Sequence, residues 1–370
     1  MRIGINARLL LRNRLEGIGW HAWEIIRRLT QKHPGHEFIL FYDRREGILI
    51  PEGKNIQTVV QFPPSRHPLL IWWWCRALGL ACVHHRIDVF YSPEVLMPSG
   101  SSIPCLITIH DLSPLVLAHS LPLAHRWYYQ YYTKKNAQEA AHLFTVSQFT
   151  RSEIIRILSV QPEKLSVVYN AARPSFRPIP ESERIRNRFT DGKPYFIYVG
   201  ALHQRKNVDK IIEAFDVFKK REGCNYKLML AGKFMGKHRR IRTALAKSGN
   251  KADILFPGYV PENDLSLLIA GAEAMINLSE YEGFGMPLVE AFQSGTPVIA
   301  ADRSCYPEIC GDACLLVDPY DIPAVVEAMQ RAMQNRKALS AAGFLQAGKY
   351  DWEESAEQVW RRVKIEVEKK

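Results

Sequence analysis

The chain has 370 residues, 47% of them hydrophobic and 24% charged, which is enough for two globular cores and ordinary for a soluble protein. Its net charge of +11 implies an anionic partner, but the Lys and Arg residues are spread out and no nucleic-acid-reading module occurs. A nucleotide or a phospholipid surface is therefore expected, and nucleic acid is not. Seven cysteines, an odd number without a secretory signal, are expected of a reducing compartment and of thiols rather than disulfides.

Apolar runs and helical patterns alternate along the chain, which predicts parallel sheets in an α/β architecture. The first strands are expected at Arg2–Asn6, Glu37–Tyr42, Asp88–Ser92, Cys105–Ile109, His142–Ser147 and Ser166–Tyr169. After the first of these, Glu16-Gly-Ile-Gly-Trp-His-Ala-Trp-Glu opens a helix, and Gly17-x-Gly19-x-x-Ala22 has the outline of a dinucleotide fingerprint. That fingerprint needs its first glycine close behind the strand, and about ten residues intervene here, which disfavours a nicotinamide oxidoreductase. The run Leu69 to Val83, containing Trp72, Trp73 and Trp74, is too short to span a bilayer and is interrupted by Arg76. Two readings stand for it: a helix packed by one face into the first core, or a helix on an anionic membrane surface beside Arg66, Arg76 and Arg86. His110-Asp111 follows the strand at Cys105–Ile109, where a His either faces a ligand beyond the strand end or bonds to nearby backbone. His21 and His203 lack that strand-end setting.

Residues 171–194 are rich in Pro and charge, as a connection between domains would be. Strands then resume at Tyr195–Gly200, Lys227–Gly232, Ala274–Leu278, Pro297–Ala301 and Cys314–Val317. Ligands of open α/β sheets sit beyond the carboxyl ends of the strands, so the loops that follow carry the chemistry. Gly200-Ala-Leu-His-Gln-Arg-Lys-Asn places Arg205 and Lys206 before an amphipathic helix, where cations are either solvated or matched to a bound anion. The strand at Ala274–Leu278 leads into Ser279-Glu-Tyr-Glu-Gly-Phe-Gly-Met-Pro-Leu-Val-Glu-Ala291. Pro287 suits a helix start, Gly295 ends the helix, Glu282 lies in the approach loop and Glu290 one turn into the helix. The amides of Gly285 to Val289 are expected to be free, with the helix dipole behind them, a setting for phosphate or sugar oxygens. Cys305, Cys310 and Cys314 lack metal-site spacing and read as buried apolar side chains. No Asp-x-Asp occurs, which removes the usual carboxylate clamp for a cation on a diphosphate. Asp351 to Lys370 is a helical pattern with Asp351 as its cap.

The string from Ser279 to Ala291, with Gly295-Thr-Pro-Val-Ile-Ala after it, resembles the E-x7-E signature of the retaining GT-B glycosyltransferases of group 1, family 4, which include bacterial mannosyltransferases. Gly200-x-x-x-x-Arg205-Lys206-Asn207 is similar to that family's phosphate-contacting segment, although Ala201 stands where many members have Arg. Gly17 and Gly19 resemble its N-terminal glycine-rich loop, and Gly258-Tyr259-Val260 resembles the segment along the nucleotide base. The resemblance implies two Rossmann-like parallel-sheet domains facing across a deep cleft. An acceptor-side domain would cover 1–172, a linker 173–194, a nucleotide-sugar domain 195–350, and a helix at 351–370 would return to the first domain. It also implies that Glu282, with the loop residues Gly283, Phe284, Gly285 and Met286, holds the donor sugar and that Glu290 holds the ribose. His110 would contact the sugar near the reacting carbon, while Arg205 and Lys206 would stabilise the leaving diphosphate. His110, Glu282, Arg205 and Lys206 are thus the catalytic set.

The activity so implied is transfer of a hexose, mannose or similar, from a GDP- or UDP-linked sugar to a glycan or lipid-linked acceptor in cell-surface polysaccharide biosynthesis. Configuration would be retained, the donor phosphate would take the acceptor's proton, and neither cofactor nor metal would be needed. A nucleotide-sugar epimerase of the same fold and a non-catalytic sugar-nucleotide-binding protein are the rival readings. The expected location is cytoplasmic, peripheral at the inner face of the cell membrane.

Overall fold

The computed structural model describes residues 1–12, 15–61, 68–117, 123–179, 182–222, 225–236 and 238–369. Arg66, Cys224 and positions 180–181 of the expected connection lie outside them, as does the side chain of Leu69. The chain forms two units, Met1–Asn170 with Asp351–Lys370, and Ala171–Tyr350.

The first unit holds β1 (Arg2–Asn6), β2 (Glu37–Tyr42), β3 (Ile56–Val60), β4 (Val89–Ser92), β5 (Cys105–Ile109), β6 (His142–Thr145) and β7 (Leu165–Val167). They make one parallel sheet in the order β3-β2-β1-β4-β5-β6-β7. Crossover helices cover such sheets on both faces, so the inner strands are continuous apolar runs, as Phe38 to Tyr42 and Val89 to Tyr91 are. The second unit repeats the plan with β8 (Tyr195–Val199), β9 (Lys227–Ala231), β10 (Ile254–Gly258), β11 (Ala274–Asn277), β12 (Val298–Ala301) and β13 (Leu315–Val317). Its order is β10-β9-β8-β11-β12-β13, again parallel. Its helix Val208–Glu222 buries Val208, Ile211, Ile212, Phe215 and Phe218, the three-and-four spacing of a single helical face.

In both sheets the chain winds outward from its first strand and then returns to the other side of that strand. The direction therefore reverses between β1 and β4, and between β8 and β11. These reversals open a crevice at the carboxyl ends of the two strands. A Cβ on Gly232, just past β9, would lie 1.8 Å from the Gly200 carbonyl oxygen, so only glycine lets the loop after β8 pass so close.

Two strands absent from the sequence reading are β3 and β10. Each is an edge strand with two of its five residues exposed, so neither shows a buried apolar run, and β10 also contains Pro257 and a shifted register. Residues 171–194 fold with the second unit: Arg173 is buried, and the helix Ser182–Thr190 is tied to Glu273 by Arg186 at 2.7 Å. The helix Trp352–Glu368 lies in the first unit, where Trp352 and Trp360 are buried, Glu353 accepts from Arg28 Nε at 2.6 Å, and Trp360 stacks on His33.

The helix Pro68–His84 packs one side into the first core and leaves apolar side chains exposed on the other. Trp74, Cys75, Leu78 and Cys82 pack into the core with Phe41 and Phe90. Leu70, Trp73, Leu80 and Val83 form an outward stripe, with Leu80 76% exposed. Among the described residues no helix is long and apolar enough to cross a membrane. Among the described residues six cysteines are buried thiols, including Cys305, Cys310 and Cys314.

Candidate functional site

The crevice at β8 and β11 is built by two loops that bond to each other. After β8, Gln204–Lys206 form a single 3-10 turn that is closed at its start by His203, whose Nδ1 accepts from the Arg205 amide at 3.1 Å. Asn207 then takes a left-handed conformation, φ 50°, and its side chain donates to the Leu278 carbonyl at 3.0 Å, fastening this loop to the end of β11. The Glu280 amide donates to the Arg205 carbonyl at 3.0 Å. Arg205 and Lys206 thus stand in a turn just ahead of the helix Val208–Glu222.

The same loops bring Arg205, Lys206 and Glu282 together. Lys206 Nζ pairs with Glu282 Oε1, Arg205 NH1 lies 3.3 Å from the same oxygen, and Ser279 Oγ donates to it at 2.7 Å. Arg205 also donates to the Tyr281 carbonyl. Burial pushes the Glu282 carboxyl up, but Lys206, Arg205 and the two side-chain hydrogen bonds outweigh it and hold the group below its ordinary range. Two cations and a hydroxyl thus converge on one carboxylate at the strand ends.

The helix Met286–Gln293 begins behind this cluster, after Gly285 in a left-handed conformation, φ 91°, where a Cβ would lie 2.7 Å from the Tyr306 ring. The expected row of open amides from Gly285 to Val289 is shorter than the sequence implied. Pro287 has no N–H, and the Leu288 amide donates to the Gly285 carbonyl at 2.9 Å, because the helix opens with a tight 3-10 bond. Phe284 is buried edge-on to Tyr350.

Glu290, on the same helix, is fully enclosed and is gripped by a residue the sequence reading missed. Arg173 Nε donates to Glu290 Oε1 at 2.6 Å, and its NH1 donates to Glu262 Oε2 at 3.3 Å. Burial raises the Glu290 carboxyl above its ordinary range, and Arg173 opposes the shift without cancelling it. Glu262 follows the segment Gly258-Tyr259-Val260. Gly258 there is left-handed, φ 73°, and Tyr259 is exposed with the Lys233 ammonium 5.1 Å from its ring. Phe234 and Phe256, also partly exposed, stack at 5.8 Å. Neither was legible beforehand, since Phe256 belongs to the unrecognised edge strand β10.

In the first unit, the crevice at β1 and β4 carries a second cation–carboxylate pair. Arg8, just past β1, makes a two-pronged ion pair with Glu94, just past β4, and Asn6 Nδ2 braces Glu94 Oε1 at 2.8 Å and Ser92 Oγ at 3.0 Å. His110 follows β5, and its Nε2 donates to the Pro93 carbonyl at 2.8 Å. Nε2 therefore carries the proton and Nδ1 is left as an acceptor. His21, which lacked a strand-end setting in sequence, packs edge-on to His110 with ring centroids 4.7 Å apart. Its Nδ1 donates to Asn170 Oδ1 at 2.7 Å, and its Nε2 faces the Tyr91 hydroxyl at 3.4 Å. Gly17 opens the helix Gly17–Lys32, and a Cβ on Gly19 would press on Leu15 and the Leu9 carbonyl at 3.2 and 3.3 Å. Among the described residues no three His, Cys, Asp or Glu side chains group as metal ligands.

Comparison with known proteins matches residues 15–176 to the glycosyltransferase family 4 model and residues 180–344 to that of the glycosyl transferases group 1. The O-antigen chain mannosyltransferase B of Escherichia coli is 27% identical over 370 residues, covering 95% of this chain and 96% of that protein. The sucrose-phosphate synthase of Thermosynechococcus elongatus superposes with a TM-score of 0.81 at 17% identity, covering 98% of both chains. Anabaena HepE, solved in complex with UDP-glucose, superposes with a TM-score of 0.76 at 15% identity, covering 98% of this chain and 99% of that one. The shared architecture is GT-B.

Burial, and then the neighbouring His110, lower the His21 pKa to about 3. An unfolded chain takes up a proton there below about 6.5 that the native state refuses, so this part of the stability is complete above that value and lost as the pH falls toward the native one. Urea unfolding of the native chain should therefore weaken between about pH 6 and pH 4 with a slope that His21→Phe makes shallower by about 1 kcal/mol per pH unit. Equal slopes would mean that His21 is charged in the folded protein.

Proposed function

This chain belongs to the glycosyltransferases of group 1 and family 4, and we propose that it transfers a hexose, mannose or similar, from a GDP- or UDP-linked donor to a glycan or lipid-linked acceptor in cell-surface polysaccharide synthesis, with retention and without a metal. The observation that carries this reading is the meeting of Arg205 and Lys206 on Glu282 at the β8/β11 crevice. A bound diphosphate competes with Glu282 for both cations. Once they turn to the phosphates, the Glu282 carboxylate is released to accept hydroxyls of the attached sugar. As the bond to the sugar breaks, Arg205 and Lys206 take up the charge growing on the diphosphate, stabilisation by groups already in place. The donor phosphate then removes the acceptor's proton, so no side-chain nucleophile takes part.

Glu290 would hold the ribose, and Tyr259, with Phe234 and Phe256, offers aromatic surface for the base. In the first unit, Arg8 and Glu94 supply a donor fork and an acceptor for sugar hydroxyls, and His110 offers Nδ1 as a further acceptor. Mannose as the transferred sugar, and the O-antigen type of product, are supported by the name of the Escherichia coli relative. UDP as the nucleotide is supported by HepE, and GDP remains the other base to be screened.

A thermal-shift screen of GDP, UDP and ADP sugars should raise the melting temperature with one class of base, because a ligand of the native state alone stabilises it. With that nucleoside diphosphate, Glu290→Gln should weaken binding about tenfold or more, while Glu282→Gln should spare binding and impair transfer. The reverse pattern would mean that the donor lies the other way round. Turnover should persist in EDTA, since no Asp-x-Asp is present; loss with EDTA and rescue by magnesium or manganese would contradict metal independence.

The stripe of Leu70, Trp73, Leu80 and Val83, with Arg76 and Arg86 exposed beside it, supports docking on an anionic membrane at the cytoplasmic face. Binding to phosphatidylglycerol liposomes should fall with salt and with Trp73→Ser/Leu80→Ser. Equal binding by the variant would remove this helix from the contact.

A further inference from the structure

Arg173 is the third residue of the second unit, in a stretch read from sequence as connection, yet its side chain is only 7% exposed. Its guanidinium joins Glu290 on the helix Met286–Gln293 to Glu262 at the start of the helix Glu262–Gly271. Ser175 Oγ holds the other oxygen of Glu262 at 2.5 Å, and Phe176, itself buried, lies under the guanidinium with its ring 4.6 Å away. Arg173 is thus clamped on an aromatic face and at two edges, and its planar fork cannot swing without breaking one of these contacts.

A buried ion pair of this kind is weak support for stability, since apolar side chains of similar volume commonly serve as well. It does fix the direction of a carboxylate that must meet a ligand, and it opposes the effect of burial on its charge. An ionised carboxylate accepts through both of its oxygens, whereas a protonated one spends an oxygen as donor.

We infer that Arg173 is a positioning residue for nucleoside recognition: it aims the Glu290 carboxylate at the ribose hydroxyls and ties it to Glu262, next to the base-side segment Gly258-Tyr259-Val260. This rests on the nucleotide-sugar reading above, in which Glu290 holds the ribose. Arg173 itself touches no ligand atom in this assignment. Its effect is therefore confined to the hydroxyls that Glu290 accepts, and it leaves the phosphate contacts of Arg205 and Lys206 alone.

The test is calorimetric titration of the full chain with GDP and UDP and with their 2′,3′-dideoxy counterparts. The wild type should bind the ribose form of its nucleotide at least about tenfold more tightly than the dideoxy form. Arg173→Gln should shrink that ratio to about twofold or less through loss of affinity for the ribose form alone, and Arg173→Lys should restore part of it. Glu290→Gln should shrink the ratio equally, and adding Arg173→Gln to it should change nothing further. If Arg173→Gln weakens both forms alike, or leaves the ratio intact, the inference is overturned and the pair is structural. If Arg173→Gln does not fold, an unchanged ratio in Arg173→Lys overturns it as well. A wild-type ratio near one would instead sink the ribose role of Glu290, and no binding of either diphosphate would sink the nucleotide-sugar reading itself.

Discussion

A carboxylate carried out of water beside the end of a parallel strand is costly unless a cation or several hydrogen-bond donors meet it there. The candidate sites of this protein are arranged around that constraint. Glu282 meets Lys206, Arg205 and Ser279, Glu290 meets Arg173, and Glu94 meets Arg8 and Asn6. In two of these three cases the carboxylate follows the strand that comes after the winding reversal, and the cation follows the strand where winding began. The pair therefore spans the crevice that the reversal opens, β8 with β11 in one unit and β1 with β4 in the other.

This placement links sheet topology to chemistry. A right-handed crossover out and another back leave two adjacent parallel strands whose following loops diverge, and the gap between those loops is where polar side chains gather. At β8 and β11 the gap is stiffened by the Asn207 bond to Leu278 and by the close passage at Gly232. The cations and the carboxylate are then held in register by backbone rather than by their own pairing. Mutual attraction can be given up to a ligand without the loops collapsing, which is what exchange of Glu282 for a diphosphate requires.

The histidines follow a related logic with the sign reversed. His21 and His110 pack against each other in the first unit and cannot both carry charge, and burial holds His21 neutral. The Pro93 carbonyl assigns the His110 proton to Nε2, so the ring offers an acceptor at Nδ1. A sugar hydroxyl is a suitable donor to it. An ionised phosphate is not.

Much of the fold was legible in the sequence. Inner parallel strands are covered on both faces and must be apolar throughout, so Glu37–Tyr42 and Cys105–Ile109 announce themselves as strands. The edge strands Ile56–Val60 and Ile254–Gly258 escaped because two of the five residues in each face water and their pattern is that of a loop. The loop Ser279 to Met286 was legible because a tight chain path at a strand end demands glycines, proline and polar side chains in a fixed order. What only tertiary structure decided is which charge answers which. Arg173 reaches Glu290 across 117 positions of sequence and Arg8 reaches Glu94 across 86, while His21 finds His110 through the packing of the helix Gly17–Lys32 on the sheet. Local propensity and spacing act over a few residues, whereas a buried charge selects its partner by distance in space, and that distance exists only once the strands have been ordered into a sheet.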